Sequence, residues 1–311
     1  MMTSSATRGQ EPDWLPGGNI ITRFAPSPTG ALHLGHAYSA IRAHDLARQH
    51  ADIGGGQGGG AFLLRIEDID GARSRADHIA GIIDDLTWLG LGWDGPVTYQ
   101  SARLPLYADA LDQLRAMDLL YPCFCTRADI AASLGAPQAG DAVAVYPGTC
   151  RSLPSPVRAE KQALAPHAWR IDMARAVAIA GPLHWHDALA GQVVANPLAQ
   201  GDVVLARKDA PASYHLAVTV DDAAQSVSDV MRGADLFAAT HIHRLLQALL
   251  GLPTPRYHHH PLLADENGRR LAKRDGAPTL AQLRALGQDG AELAQMLRAG
   301  ALPIGIAAIP H

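Results

Sequence analysis

Two histidines near the start of this 311-residue chain, His33 and His36, follow a strand-like run and a proline-rich turn. A helix that begins after such a turn offers free N–H groups and a positive dipole end to an anion. Gly35 lets a phosphate or a nucleotide ring approach the backbone, and two imidazoles can donate hydrogen bonds to phosphate oxygens as charge develops. The segment predicts nucleotide chemistry, although the isolated tetrapeptide is equally compatible with ordinary polar residues at a helix start.

Three cysteines lie in one short part of the chain, Cys123 and Cys125 together and Cys150 about 25 residues later. Three thiolates at this spacing can bind Zn²⁺ at a closed, structural site. The fourth ligand is open between Tyr146, which lies four residues before Cys150, and His167, which is the more conventional ligand type. The alternative is a set of free thiols, since an odd number of cysteines argues against a disulfide framework.

The elements that must position these residues alternate between strands and helices. Such alternation predicts an α/β protein with a doubly wound parallel sheet, in which ligands bind at the carboxyl ends of the strands. Apolar spacing and turn residues predict strands at 20–24, 61–66 and 97–100, and helices from about 34, at 74–89 and at 104–117.

From residue 121 to about 207 cysteines, prolines and short strands replace this pattern, which predicts an insertion with antiparallel strands at 168–172, 183–187 and 202–207. The α/β pattern returns at 214, with a strand at 226–231 and a helix ending near 250. A strand-like run at 257–263 carries three consecutive histidines. Because adjacent strand residues face opposite sides, a buried strand end is favoured there over a metal site.

Two helices, at 279–286 and 289–298, are predicted near the C-terminus, with Thr279 and Asp289 as N-caps. The predicted organisation has four parts. These are a disordered tail at 1–19, a Rossmann-like catalytic domain at 20–120 and 208–252, a zinc-bearing insertion at 121–207, and a helical module at 253–311.

Composition excludes several classes of protein. Hydrophobic residues make up 48% of the chain, but no apolar run reaches the roughly 18 residues of a membrane span, so a membrane protein is not expected. The first residues lack the apolar core of a signal peptide, and a cytoplasmic location is expected. The net charge of −4 argues against a general nucleic-acid binder, so any tRNA contact must be local. No long apolar seam is visible, which favours a monomer.

The string from Arg23 to His36, RFAPSPTGALHLGH, resembles the HIGH-motif segment of class I aminoacyl-tRNA synthetases in its glutamyl and glutaminyl form. Three further segments are similar to the same family: LRIED at 64–68, VTVDD at 218–222 and MRGADL at 231–236. The basic run RLAKR at 270–274 resembles its KMSKS loop, with an arginine for the first lysine and an alanine for the serine. About 35 residues follow this loop, too few for an anticodon-binding region, so the resemblance is closest to a truncated branch of the glutamyl enzymes.

This resemblance implies activation of L-glutamate by ATP, with Mg²⁺, and release of pyrophosphate without any need for tRNA. Glutamate is then transferred to the queuosine base at the wobble position of tRNA(Asp). Two alternatives remain open: charging of a tRNA 3′ end, and a catalytically silent tRNA-binding zinc protein. The altered KMSKS-like loop is the one feature that favours the silent protein.

The resemblance also implies roles for single residues. Arg23 would pair with the side-chain carboxylate of glutamate, Glu67 would accept from its α-ammonium group, and Lys273 would act on ATP. The implied glutamate site consists of Arg23, Phe24, Ala25, Pro26, Ser27, Glu67, Tyr214 and Arg232. The implied ATP-binding residues are His33, Gly35, His36 and Lys273, of which His33, His36 and Lys273 are catalytic. The implied zinc ligands are Cys123, Cys125, Tyr146 and Cys150.

Overall fold

The structure is a computed structural model that describes residues 19–49, 60–126, 128–130, 145–265, 278–302 and 306–309. The strands are β1 Ile21–Phe24, β2 Ala61–Ile66, β3 Thr98–Tyr99, β4 Leu120–Cys123, β5 Ala168–Ile171, β6 His184–Asp187, β7 Gly191–Val194, β8 Val204–Ala206, β9 Asp229–Gly233, β10 Arg256–His260, β11 Leu262–Asp265 and β12 Ile306–Ile309. The helices are α1 Leu34–Gln49, α2 Ala76–Trp88, α3 Leu104–Ala116, α4 Ser155–Leu164, α5 Met173–Ala180, α6 Tyr214–Ala224, α7 Phe237–Leu250, α8 Leu280–Ala285 and α9 Gly290–Arg298.

Parallel strands form the centre of the fold. β1 and β3 flank β2, and β6 and β9 flank β10, with every one of these pairs parallel. The two groups meet between β1 and β9, where the Ser228 N–H donates to the Ile21 carbonyl at 3.0 Å and the Ile21 N–H donates to Ser228 Oγ at 2.9 Å. The predicted doubly wound parallel arrangement is confirmed.

The region 121–207 divides between two sheets. β5 pairs antiparallel with both β4 and β8, as predicted for an insertion. β6 instead pairs parallel with β10, with Tyr257 opposite Asp187, and continues antiparallel into β7. The predicted boundary at 207 therefore separates two strands of one sheet. Two helices that the sequence did not indicate, α4 and α5, also lie in this region.

The run at 257–263 contains two strands rather than one. β10 ends before Pro261, and β11 then leaves the parallel sheet to pair antiparallel with β12, with Leu263 opposite Ala308. The sequence did not indicate β12. Residues 1–18 of the tail predicted at 1–19, and the basic run at 270–274 with its Lys273, lie outside the described residues.

Side-chain caps begin both C-terminal helices. Thr279 accepts from the Gln282 N–H at 3.2 Å, and the Gln282 side chain accepts in return from the Thr279 N–H at 2.8 Å. Asp289 accepts from the Glu292 N–H at 2.9 Å. Both predicted N-caps are confirmed, and each satisfies backbone donors that the helix itself cannot.

Two apolar cores support the carboxyl edge of the sheet. The first lies among β1, β2, α1 and α2 and extends to α8 and α9, and the second lies among α3, α5, α6 and α7. Among the described residues, no helix has the length and apolar character that crossing a membrane requires.

Candidate active site

A cavity of about 400 Å³ opens at the carboxyl ends of β1 and β9, beside the start of α1. It brings together residues that are more than 200 positions apart in the chain. The residues predicted for glutamate and ATP that line it are Arg23, Phe24, Ala25, Pro26, Ser27, His33, Gly35, His36, Glu67, Tyr214 and Arg232. The lining is completed by residues to which the sequence analysis assigned no role in binding: Thr29, Ser39, Met231, Gly233, Asp235, Leu236, His260, Leu262 and Leu263.

The rings of the two histidines of the opening motif pack against each other in the lining of this cavity, with centroids 3.9 Å apart and planes inclined at 44°. His33 Nδ1 accepts from the Gly35 N–H at 3.1 Å, and His36 Nδ1 accepts from the His33 N–H at 3.2 Å. An imidazole that accepts at Nδ1 carries its proton on Nε2. A Cβ on Gly35 would lie 3.0 Å from Cε1 of His33, so glycine keeps this turn compact.

Residues before and after the KMSKS-like loop lie next to the same cavity. Leu262 and Leu263, which precede it, are part of the lining. After it, Thr279 bridges to His33, and the Leu280 N–H donates to the Leu32 carbonyl at 2.9 Å.

Asp222 on α6 forms ion pairs with two buried arginines. Its Oδ1 lies 2.9 Å from Arg23 Nε and 2.8 Å from Arg65 Nη2, and its Oδ2 lies 3.3 Å from Arg23 Nη2. Burial acts to raise the pKa of Asp222, but the two guanidiniums outweigh it and hold this pKa below the usual range. The Nε edge of Arg23 is thus occupied, so a bidentate contact with a substrate carboxylate requires its other edge.

Sequence reasoning missed this role of Asp222. The signal in the sequence was the pair of adjacent acidic residues Asp221 and Asp222 in an otherwise apolar run.

Glu67 lies just past the end of β2, with its side chain only 9% exposed. Its backbone N–H donates to the Pro26 carbonyl at 3.0 Å, which ties it to the turn after β1. Burial raises the pKa of Glu67 to about 7, although Arg65 at 3.7 Å and Arg23 act to lower it. The cavity wall thus holds a carboxyl group that titrates near neutral pH.

Arg232, at the opposite wall, is 4% exposed and is held by neutral groups. Its Nε donates to His259 at 3.1 Å, and its Nη1 lies 3.2 Å from Nδ1 of His243 and 3.5 Å from the hydroxyl of Tyr214. Its Nη2 donates to Thr240 at 2.5 Å. Within the part of the chain that the structure describes, no carboxylate forms an ion pair with it. Among the described residues, Arg232 is therefore a buried cation without a countercharge.

The three cysteines converge away from the cavity, with their sulfurs within 4.8 Å of one another. The Tyr146 hydroxyl lies 3.5 Å from Cys123 Sγ and 3.6 Å from Cys125 Sγ, and Cys125 Sγ lies 3.5 Å from Cys150 Sγ. Ligands of a tetrahedral Zn²⁺ with bonds of about 2.0–2.3 Å are separated by roughly 3.5–3.8 Å. The donor set and its spacing fit a metal, with the phenol of Tyr146 as the fourth group.

His167 does not take that place. Its Nδ1 lies 3.3 Å from the Ala165 carbonyl, and its ring packs against Phe124 and Trp169.

A family model described as tRNA synthetases class I (E and Q), catalytic domain, matches residues 19–306. The chain belongs to this family. Its relatives include a glutamyl-Q tRNA(Asp) synthetase of Rhodobacter capsulatus, 50% identical over 289 residues that cover 89% of this chain and 99% of that protein. A glutamyl-Q tRNA(Asp) synthetase of Deinococcus radiodurans is 44% identical and covers 94% of this chain and 92% of that protein.

A solved structure of the glutamate-tRNA synthetase of Elizabethkingia anophelis is also similar, with a TM-score of 0.74 and 27% identity. The match covers 90% of this chain and 61% of that enzyme, so the chain spans less than two thirds of its length.

Proposed function

We propose that the chain activates L-glutamate with ATP and transfers it to the queuosine base of tRNA(Asp). Relatives that carry the corresponding name align over nearly their whole length. The proposal extends to a monomeric enzyme that acts in the cytoplasm, where its tRNA substrate is found.

The observation that carries the proposal is the buried, uncompensated charge of Arg232. A buried cation without a partner is costly, and a ligand that brings a carboxylate relieves that cost. Glu67, on the other wall, accepts the α-ammonium group once it is ionised. Tyr214, 3.5 Å from Arg232 through its hydroxyl, closes the pocket, and Arg23 contacts the side-chain carboxylate through the edge that does not face Asp222. An amino acid with an anionic side chain can pair with Arg232 through its carboxylate and with Glu67 through its α-ammonium group at the same time.

In the activation step, an α-carboxylate oxygen of glutamate attacks the α-phosphorus of ATP. The bond to the bridging oxygen breaks, and pyrophosphate leaves with its electron pair. His33 and His36 donate Nε2–H groups to the phosphate oxygens, Gly35 leaves room for the nucleotide, and Lys273 neutralises the leaving group. The bridge of Thr279 to His33 after the loop and the place of Leu263 in the cavity lining before it support this role for Lys273. Mg²⁺ enters with ATP, where it offsets phosphate charge.

Zn²⁺ bound by Cys123, Cys125, Tyr146 and Cys150 would be structural. It ties β4 to the chain around Cys150 and takes no part in the chemistry.

Glutamate-dependent exchange of labelled pyrophosphate into ATP, measured without tRNA, tests the activation step. We expect exchange with L-glutamate, and little with L-glutamine or L-aspartate. A folded, zinc-loaded protein that shows no exchange with any amino acid would instead support the catalytically silent alternative.

A further inference from the structure

The guanidinium of Arg232 is surrounded by acceptors that carry no charge. His259 on β10 accepts from its Nε, His243 on α7 accepts from its Nη1, and Thr240 on the same helix accepts from its Nη2. This differs from Arg23, which forms an ion pair with Asp222 at 2.9 Å. Among the described residues, one wall of the cavity thus has an arginine paired with a carboxylate, and the other has an arginine held by uncharged groups.

Each histidine is fixed in the tautomer that accepts. Nδ1 of His259 lies 2.7 Å from Oδ2 of Asp187, and the His259 backbone N–H donates to the same oxygen at 3.2 Å. A carboxylate at Nδ1 places the ring proton there and leaves the Nε2 lone pair for Arg232. Backbone N–H groups of Leu189 and Ala190 hold the other oxygen of Asp187 at 2.9 and 3.0 Å.

The second histidine, His243, is fixed in its tautomer by a neighbouring histidine, His215. His243 accepts from Arg232 at Nδ1, so its proton lies on Nε2, which faces Nδ1 of His215 at 3.2 Å. Burial lowers the pKa of both His215 and His259 to about 4, and burial likewise holds the pKa of His243 well below its ordinary value. The rings are therefore uncharged at neutral pH.

We propose that the pairs Asp187–His259 and His215–His243 are positioning devices that fix Arg232 without neutralising it, and that they thereby set the preference for an anionic over an amide side chain. The inference rests on the proposed function, because it takes glutamate as the ligand of the cavity. A glutamate carboxylate completes the ion pair. A glutamine amide of nearly the same shape leaves the buried charge without a partner, so discrimination follows from charge rather than from size.

A matched pair of variants at His243 isolates the effect of a negative charge placed beside Arg232. The Oδ1 atom of asparagine or aspartate occupies about the position of the histidine Nδ1 atom, so His243→Asn keeps a neutral acceptor and His243→Asp adds a carboxylate beside Arg232. Calorimetry of L-glutamate and L-glutamine binding measures the effect. We expect His243→Asp to bind glutamate roughly 10- to 100-fold more weakly than His243→Asn. The affinity for glutamine should change little, so the preference for glutamate falls by a similar factor.

Asp187→Asn tests the second device through the tautomer. An amide in place of the carboxylate can donate to Nδ1 of His259, which moves the ring proton to Nε2. His259 then faces the Nε–H of Arg232 with an N–H group instead of a lone pair. We expect weaker glutamate binding and a nitrogen-15 spectrum in which the protonated ring nitrogen of His259 changes. Asp109→Asn, at an exposed position of α3, is the control, and thermal unfolding confirms that each variant is folded.

Equal glutamate affinities for the two His243 variants, or equal affinities of the unaltered protein for glutamate and glutamine, would overturn the inference. If His243→Asp does not fold, an unchanged glutamate affinity in Asp187→Asn overturns it instead. A protein that prefers glutamate in calorimetry but shows no pyrophosphate exchange contradicts the proposed function and leaves this inference supported.

Discussion

Replacement of Glu67 by glutamine separates the role of this residue in binding from its effect on stability. Burial moves the pKa of Glu67 from 4.5 to about 7, which corresponds to about 3 kcal/mol. Between these two values the folded protein retains a proton that the unfolded chain has released, so stability falls as the pH rises. Above pH 7 the whole penalty is present. Glu67→Gln removes it, and we expect a gain of up to about 3 kcal/mol in the free energy of unfolding at pH 8.

The same change should weaken glutamate binding. Loss of a charged hydrogen bond to the α-ammonium group costs about 1.5–3 kcal/mol, which is roughly a 10- to 100-fold loss of affinity. In the unaltered protein, binding needs the ionised form of Glu67, so glutamate affinity should rise about tenfold between pH 6 and pH 8. In Glu67→Gln that rise should disappear.

Urea unfolding at pH 6 and pH 8, together with calorimetry of glutamate binding over the same range, measures both effects. Glu160→Gln is the matched control, because Glu160 is an exposed residue of α4 and its loss should alter neither quantity. If Glu67→Gln bound glutamate normally, or if affinity in the unaltered protein were independent of pH, the role assigned to Glu67 would be wrong.

Three further substitutions test other parts of the structure. Asp222→Asn removes the carboxylate that pairs with both Arg23 and Arg65 and should cost about 3–5 kcal/mol in urea unfolding; a loss below about 1 kcal/mol would contradict the buried ion pairs. Elemental analysis should find one zinc ion per chain in the unaltered protein and in His167→Ala but none in Cys150→Ser, and the opposite pattern in the two variants would exclude the predicted ligand set. Gly290→Ala places a Cβ against the Trp88 carbonyl and should cost about 1–3 kcal/mol, so an unchanged urea midpoint would refute that close contact.

Local patterns in the sequence were sufficient for the parallel core. β2 was predicted to the residue at 61–66, because a short apolar run bounded by turn residues has few other solutions. The assignment of Arg23, Glu67 and Arg232 to one site came from the family resemblance, and the structure places all three in the lining of one cavity. The parallel strands before them end on the same side of the fold, which is why residues far apart in the chain meet there.

What the sequence could not indicate depends on contacts between distant segments. The run at 218–220 is β-branched, yet it lies in α6, where burial against α3 and α7 outweighs strand propensity. The pairing of β6 with β10 joins residues about 70 positions apart. Asp187 and His259 are placed together only by that pairing. The role of Asp222 could not be predicted from the sequence, because it depends on the positions of Arg23 and Arg65 in the fold.

The acceptor is the central claim, and transfer of labelled glutamate to tRNA(Asp) tests it most directly. The tRNA is prepared with and without queuosine, incubated with ATP and the protein, and cut by nuclease into anticodon and 3′-terminal fragments. We predict label in the anticodon fragment of the queuosine-containing tRNA alone. Label in the 3′-terminal fragment, or equal labelling of tRNA without queuosine, would contradict the proposed acceptor and favour a 3′-end charging enzyme.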